Sequence, residues 1–118
     1  MRAILIDNEV STITTLEKLL CEISNIQIIG RYTSPKEAFE MIRVLEPDVI
    51  FLTTEMRGTN GIHFAKKILS INLDTHIIFL SNERKYAVHA FEIEALDYLL
   101  KPITKERLLR SIRRLYYY

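Results

Sequence analysis

Polar side chains that could do chemistry stand directly after four apolar runs of the sequence. In chain order these side chains are Asp7, Asn8 and Glu9, then Thr53, Thr54 and Glu55, then Ser81 and Asn82, and finally Lys101. Carboxylates suit Mg²⁺, and a hydroxyl acts as a nucleophile when a general base lies beside it. If the runs are parallel strands of one sheet, these groups meet at one edge and form a polar site.

The apolar run from Val49 to Leu52 predicts a strand buried on both faces. Between such runs, apolar residues recur at helical spacing. Asp7 or Asn8 is a predicted cap of the first helix, and Ser34-Pro35-Lys36-Glu37 has the form of a capping box. The predicted strands cover residues 2–6, 26–32, 49–52, 75–80 and 96–100, and the predicted helices cover about 10–23, 35–45, 61–69, 83–91 and 105–115.

Strands and helices therefore alternate throughout, with short connections, and this order predicts right-handed crossovers and a parallel sheet. Five such strands with helices on both faces indicate an α/β, flavodoxin-like, doubly wound fold of strand order 2-1-3-4-5 with five helices. The switch point of this order lies between the first and third strands. Asp7 and Thr53 end those strands, so both are expected to face one crevice.

The 118 residues suit a single domain spanning 1–118, and 48% hydrophobic composition fits a folded chain. No apolar run is long enough for a membrane span, and the amino-terminal run is too short for a signal peptide. We therefore expect a cytoplasmic protein without membrane contact. Cys21 is the only cysteine, which excludes an internal disulfide, and its apolar neighbours predict a buried thiol.

Several segments resemble the receiver domains of two-component response regulators. The most specific is AFEIEALDYLLKPI at residues 90–103, which is similar to receivers of the LytTR class. The others are residues 3–9, 47–52, 55–56 and 60–62, so the resemblance runs from end to end. It implies a regulatory domain of a transcription regulator, with a DNA-binding domain expected beyond Tyr118.

The resemblance also implies roles for individual residues. In such receivers an aspartate at the end of the third strand accepts a phosphoryl group from a histidine kinase, and acids after the first strand help to bind Mg²⁺. Asp7 and Glu9 match acidic positions. Ser81 and Lys101 match the hydroxyl and the lysine that contact phosphoryl oxygens, and Tyr98 matches an aromatic side chain that swings inward on activation. A cis Lys101–Pro102 bond is implied as well.

Two positions depart from this pattern at the centre of the site, and Arg57 replaces a customary proline. Thr53 stands where the acceptor aspartate belongs, and Asn8 stands where a metal-binding acid belongs. A carboxylate is ionised at neutral pH, whereas a threonine hydroxyl needs a general base such as Glu55 or Asp7. We therefore expect a lost phosphoacceptor, no cofactor, weak Mg²⁺ binding at most, no enzymatic activity, and a structural ion pair between Lys101 and Asp7.

Three functions remain open at this point. The first is an atypical receiver that acts through protein–protein contacts without aspartyl phosphorylation. The second is a receiver phosphorylated at Thr53 or Thr54. The third is a small-ligand binder that uses the vacated crevice. His63, His76 and His89 lack metal-ligand spacing, so no metal site is predicted from them.

The partners expected from the resemblance are a second copy of the chain and an upstream signalling protein such as a histidine kinase. DNA is expected to be contacted only through the domain expected beyond Tyr118. Residues 101–118 carry six basic residues and one acidic residue. The face formed by the fourth helix, fifth strand and fifth helix would offer acids against bases in a two-fold dimer. The interface candidates are Glu92, Glu94, Asp97, Lys105, Arg107, Arg110 and Arg113.

Overall fold

The computed structural model describes residues 1–72 and 74–117. Strands and helices alternate along the chain in the predicted order. They are β1 (Arg2–Ile6), α1 (Val10–Ile23), β2 (Gln27–Tyr32), α2 (Pro35–Leu45), β3 (Val49–Thr53), α3 (Gly61–Ile71), β4 (His76–Ser81), α4 (Ala87–Glu92), β5 (Asp97–Leu100) and α5 (Lys105–Tyr117). The expected domain limit at Tyr118 lies outside the described residues.

The strands form one parallel sheet in the order β2-β1-β3-β4-β5, which confirms the flavodoxin-like prediction. β3 lies at the centre, and all five of its residues are buried. Because side chains alternate across a strand, Leu5 and Phe51 pack with α1 and α5, whereas Ile50 and Leu52 pack with α2 and α3. The helices cover both faces, and the carboxyl ends of β1 and β3 border a crevice.

The start of α3 lies directly against the end of β3. A Cβ atom on Gly61 would lie 2.0 Å from the Thr53 carbonyl oxygen and 2.7 Å from the Thr54 Cα, so only glycine permits this approach. Asn60 caps α3, and its Oδ1 accepts a hydrogen bond from the His63 N–H at 2.7 Å. The backbone that carries Thr53 and Thr54 is therefore fixed by close packing.

Four helices begin where the sequence predicted, but the side-chain caps of α1 and α2 and the start of α4 differ from the prediction. The N-cap of α1 is Glu9, because Asp7 and Asn8 direct their side chains to other partners described below. Ser34 is the N-cap of α2, but its side chain makes no capping hydrogen bond. α4 begins at Ala87 rather than near residue 83, because side chains hold the backbone of the preceding loop: the Glu83 N–H donates to Ser81 Oγ at 3.0 Å.

Two further expectations have opposite outcomes. The Lys101–Pro102 peptide is cis, as the resemblance implied. Cys21, predicted to be buried, is exposed. It follows the fully buried Leu20, and one residue along an α-helix turns the side chain by about 100° away from that face. Among the described residues, none of the helices combines the length and apolar character that crossing a membrane requires.

Candidate functional site

A buried ion pair lies at the base of the crevice. Lys101 Nζ lies 2.8 Å from Asp7 Oδ2, and only 10% and 2% of the two side chains are exposed. The ion pair expected between these residues is therefore present. The contact is not aligned as a hydrogen bond, and Asp7 Oδ2 has no hydrogen-bond partner among residues 1–72 and 74–117. Lys101 is consequently the group that compensates the charge of this oxygen.

Thr53 ends β3 above this ion pair and is fully buried. Its Oγ1 atom lies 3.4 Å from Lys101 Nζ and 3.4 Å from Glu55 Oε2, and it accepts a hydrogen bond from the Glu55 N–H at 3.2 Å. The hydroxyl at the acceptor position is therefore within reach of a lysine and a carboxylate.

Glu55 points back into the crevice, across the ends of β4 and β5. Its Oε1 accepts hydrogen bonds from the Asn82 N–H at 2.7 Å and from Ser81 Oγ at 3.0 Å. Its Oε2 accepts from Asn82 Nδ2 at 3.2 Å and lies 3.6 Å from Lys101 Nζ. Thr54 Oγ1 lies 3.3 Å from Oε1 and donates to Ser81 Oγ at 2.6 Å.

The environment of Glu55 stabilises its charged form. Burial on its own raises the pKa of Glu55, but the hydrogen bonds from Asn82 and Ser81 and the charge of Lys101 outweigh burial and hold that pKa below its ordinary value. Sequence reasoning placed Glu55 in an acidic pocket and named it as a candidate general base, without its contacts to the ends of β4 and β5. Its contacts with residues 26 and 27 positions away carried no signal in the local pattern.

Asn8 and Glu9 do not bring carboxylates to Thr53. Asn8 Nδ2 donates a hydrogen bond to the Glu55 carbonyl oxygen, and the Glu9 N–H donates to Asp7 Oδ1 at 3.0 Å while its side chain is exposed. In the described part of the chain, no three His, Cys, Asp or Glu residues are grouped to hold a metal ion.

The family's Mg²⁺ does not fit the donors of this crevice. Mg²⁺ prefers hard oxygen ligands that include carboxylates. Asp7 is paired with Lys101, Asn8 presents an N–H donor toward the Glu55 carbonyl, and Thr53 is neutral. The charge of Asp7 is balanced by the Lys101 ammonium group.

Hydrogen bonds connect the crevice to the loop between β4 and α4, and the loop to β5. Ser81 Oγ lies 3.0 Å from the Glu83 carbonyl oxygen, which also accepts a hydrogen bond from the Tyr98 hydroxyl. The Tyr98 ring is half-buried, and its centroid lies 6.4 Å from that of Phe79. Burial and the nearby charge of Glu55 raise the pKa of Tyr98. Ser81 Oγ and the Tyr98 hydroxyl therefore both lie next to the carbonyl oxygen of Glu83.

The interface candidates divide into internal and exposed residues. Asp97 is buried and pairs within the chain: Arg107 donates to both of its carboxylate oxygens, at 2.7 and 2.8 Å, and the Ser111 hydroxyl donates to Oδ2 at 2.5 Å. Lys105 Nζ lies 3.3 Å from Glu22 Oε2 at the surface. The charged candidates that remain exposed are Glu92, Glu94, Lys105, Arg110 and Arg113.

Exposed apolar side chains accompany these charges, and sequence reasoning did not single them out. Val88 and Phe91 on α4 are 65% and 83% exposed. They lie one turn apart, so both project from the same side of α4.

We expect Asp97 to make the fold sensitive to acid. Burial raises the pKa of Asp97, but hydrogen bonds from Arg107 and Ser111 and the Tyr98 N–H lower it by more, so the net shift is downward. A depressed carboxylate pKa contributes stability above the unfolded-state value of about 3.9, and this stability is lost as pH falls through the lower folded-state value.

Urea unfolding between pH 6 and pH 2 measures this contribution. In Asp97→Asn, stability should fall less steeply below about pH 4 than in the unchanged chain. Asp74→Asn is the control, because Asp74 is exposed. Equal slopes for Asp97→Asn and the unchanged chain would contradict the expectation.

Comparison with known proteins agrees with the fold. A family model described as response regulator receiver domain matches residues 3–113. The chain therefore belongs to the receiver domain family of two-component response regulators. A LytT sensory transduction protein from Bacillus cereus is 29% identical over 114 residues, 97% of this chain. The predicted resemblance to receivers of the LytTR class is confirmed.

Two relatives show higher identity. An uncharacterized response regulatory protein from Yersinia pestis is 36% identical over 115 residues, which are 98% of this chain and 48% of that protein. The transcriptional regulatory protein LytR of Staphylococcus aureus is 34% identical over 97% of this chain and 46% of its own length. The chain thus spans about half the length of these relatives.

Solved structures support the same architecture. The response regulatory domain of mrkE from Klebsiella pneumoniae superposes with a TM-score of 0.92 at 26% identity, covering 99% of this chain and 96% of that one. The response regulator domain of CheB from Thermotoga maritima has a TM-score of 0.83 at 23% identity, covering 98% and 96%, and shows the fold alone.

Proposed function

We propose that this receiver acts without aspartyl phosphorylation and controls a transcription regulator through protein–protein contacts. The observation that carries the proposal is the end of β3, where a fully buried threonine occupies the acceptor position. Phosphoryl transfer to a neutral hydroxyl needs a nearby group that can take its proton.

Neither nearby acid suits this role. Glu55 already accepts hydrogen bonds from Asn82 and Ser81, and its pKa is lowered, which makes it a weak base. Asp7 is engaged by Lys101 at 2.8 Å. These contacts argue against the alternative in which Thr53 is the phosphoacceptor, and Thr54 is equally buried, with 2% exposure.

The output surface proposed here is the face formed by α4, β5 and α5. This face carries the exposed acids Glu92 and Glu94, exposed bases on α5, and the exposed apolar side chains of Val88 and Phe91. Exposed aromatic and charged side chains on one face suit an interface between copies of the chain. A homodimer through this face would couple the receiver to a DNA-binding part in the remaining half of a longer protein.

A pocket beside the crevice favours a second candidate function, the binding of a small ligand. It lies between α1 and the segment after β5, with a volume of about 360 Å³. Its hydroxyl-bearing residues are Ser11, Thr12 and Thr15, and Asn82 and Lys101 also line it. A ligand here would contact the lysine of the crevice.

Incubation with acetyl phosphate and Mg²⁺ tests the proposed function. We expect the intact mass to remain unchanged and the amide NMR spectrum to stay the same, because the acceptor position carries a neutral hydroxyl and the carboxylates of Asp7 and Glu55 are already engaged. A mass increase of one phosphoryl group on the unchanged chain would refute the proposal. Amide shifts around Ser11 and Thr15 without a mass change would favour the ligand-binding candidate.

A further inference from the structure

The crevice already contains an anion, the carboxylate of Glu55. Its partners come from two other strand ends. Ser81 Oγ at 3.0 Å ends β4 and the Asn82 N–H at 2.7 Å follows it, and both donate hydrogen bonds; Lys101 Nζ, an ion-pair partner at 3.6 Å, follows β5. A cation, a backbone N–H and a hydroxyl directed at one point form a site for an oxyanion. Ser81 and Lys101 are also the positions that match the phosphoryl-contacting groups of the family.

Both residues that depart from the family pattern hydrogen-bond Glu55. Asn8 donates to its carbonyl oxygen, and Thr53 accepts from its N–H at 3.2 Å and lies 3.4 Å from Oε2. An aspartate at position 53 would repel the Glu55 carboxylate, and one at position 8 would place a second acceptor against the carbonyl oxygen. Asn8 and Thr53 therefore suit the seated Glu55 better than the acids they replace.

We propose that Glu55 is the resident anion of the crevice: its carboxylate fills an oxyanion site built by Ser81, Asn82 and Lys101 and holds the loop between β4 and α4 in one conformation without phosphorylation. This inference rests on the proposed phosphorylation-independent function and adds the group that sets the state. The site accepts carboxylates and phosphates as a class, and the chain supplies its own.

The carboxylate acts on the output face through the loop. Ser81 Oγ, which Glu55 contacts, lies 3.0 Å from the Glu83 carbonyl oxygen, and the Tyr98 hydroxyl donates to that same oxygen. Tyr98 lies on β5, within the proposed output face. Loss of the anion frees Ser81 and the Asn82 N–H, so the loop, and Tyr98 with it, loses its fixed position.

The experiment replaces the anion and then supplies one from solution. In Glu55→Ala, the amides of Ser81, Asn82 and Glu83 should shift, and hydrogen exchange at the Asn82 N–H should accelerate roughly tenfold or more, as for the loss of a charge-assisted hydrogen bond. Sodium acetate or inorganic phosphate should return these signals toward their original positions, in a saturable way. Sodium chloride at equal ionic strength should not.

Two further variants separate the effect of the Glu55 carboxylate from a general effect of removing an acid. Glu37→Ala removes one exposed acid from α2 and should leave the loop signals unchanged. Glu55→Gln retains the volume and one acceptor oxygen, so it should accelerate Asn82 exchange less than Glu55→Ala does. Unchanged loop amides in both Glu55 variants, or shifts that neither acetate nor phosphate reverses, would overturn the proposal.

The failure of this proposal is distinguishable from failure of the proposed function. A phosphoryl adduct on the unchanged chain would refute phosphorylation independence, whatever the Glu55 variants show. If the amide signals of the loop do not change in the Glu55 variants, the resident anion is refuted, and the result of the mass experiment is unaffected.

Discussion

We expect Lys101→Met to lower the free energy of unfolding by about 3–5 kcal/mol, the range for removing one partner of a buried ion pair. Lys101 lies 2.8 Å from the 2% exposed Asp7 side chain. It also lies 3.6 Å from Glu55 Oε2, so its loss leaves two carboxylates without their cation. Methionine keeps most of the volume, which confines the change to charge.

Lys105→Met is the matched control for this prediction. Lys105 also pairs with a carboxylate, Glu22 at 3.3 Å, but the two side chains are 54% and 42% exposed. An exposed pair contributes about 0–1 kcal/mol. Chemical denaturation of both variants measures the difference, and equal losses would contradict a buried electrostatic role for Lys101.

A double variant separates charge from packing. Asp7→Asn combined with Lys101→Met removes both charges at once and should recover a large part of the stability lost in Lys101→Met alone. Because the two residues are in contact, their effects should not be additive. Additive losses would mean that Lys101 stabilises the fold through contacts other than Asp7.

The second large effect expected is a gain of phosphorylation. Asn8→Asp combined with Thr53→Asp supplies an ionised nucleophile and a second carboxylate beside Asp7, which is the donor set that Mg²⁺ prefers. We expect acetyl phosphate and Mg²⁺ to add one phosphoryl group to this variant and none to the unchanged chain. Intact mass measures the result.

Mg²⁺ should also become a stabilising ligand of the double variant. The new carboxylates lie near Asp7 and Glu55, so they repel one another until a cation binds. At a Mg²⁺ concentration of about 100 times the dissociation constant, the gain in unfolding free energy is about 2.7 kcal/mol. Each single variant serves as a control, and absence of any Mg²⁺ effect in the double variant would show that the remaining crevice groups no longer support the site.

Local patterns in the sequence determined the fold and the set of residues at the crevice. The apolar run at Val49–Leu52 and the alternation of strands and helices around it were sufficient for the parallel sheet and its strand order, because burial on two faces leaves few arrangements. The same order brought Asp7, Thr53 and Lys101 to one crevice, since side chains at the carboxyl ends of adjacent parallel strands share an edge. The threonine at the position where the resemblance implies an acceptor aspartate is a single residue, Thr53, and could be read from the sequence.

Only the tertiary structure determined which polar and charged side chains pair with one another. Glu55 reaches Ser81 and Asn82, 26 and 27 positions away, and Asp97 pairs inward with Arg107 instead of facing a partner. Residue spacing indicates which face of an element a side chain occupies, but its direction depends on the donors and charges that other elements bring near it. Electrostatic contacts between elements distant in sequence therefore determined the occupant of the crevice, whereas local hydrophobic patterns determined the fold around it.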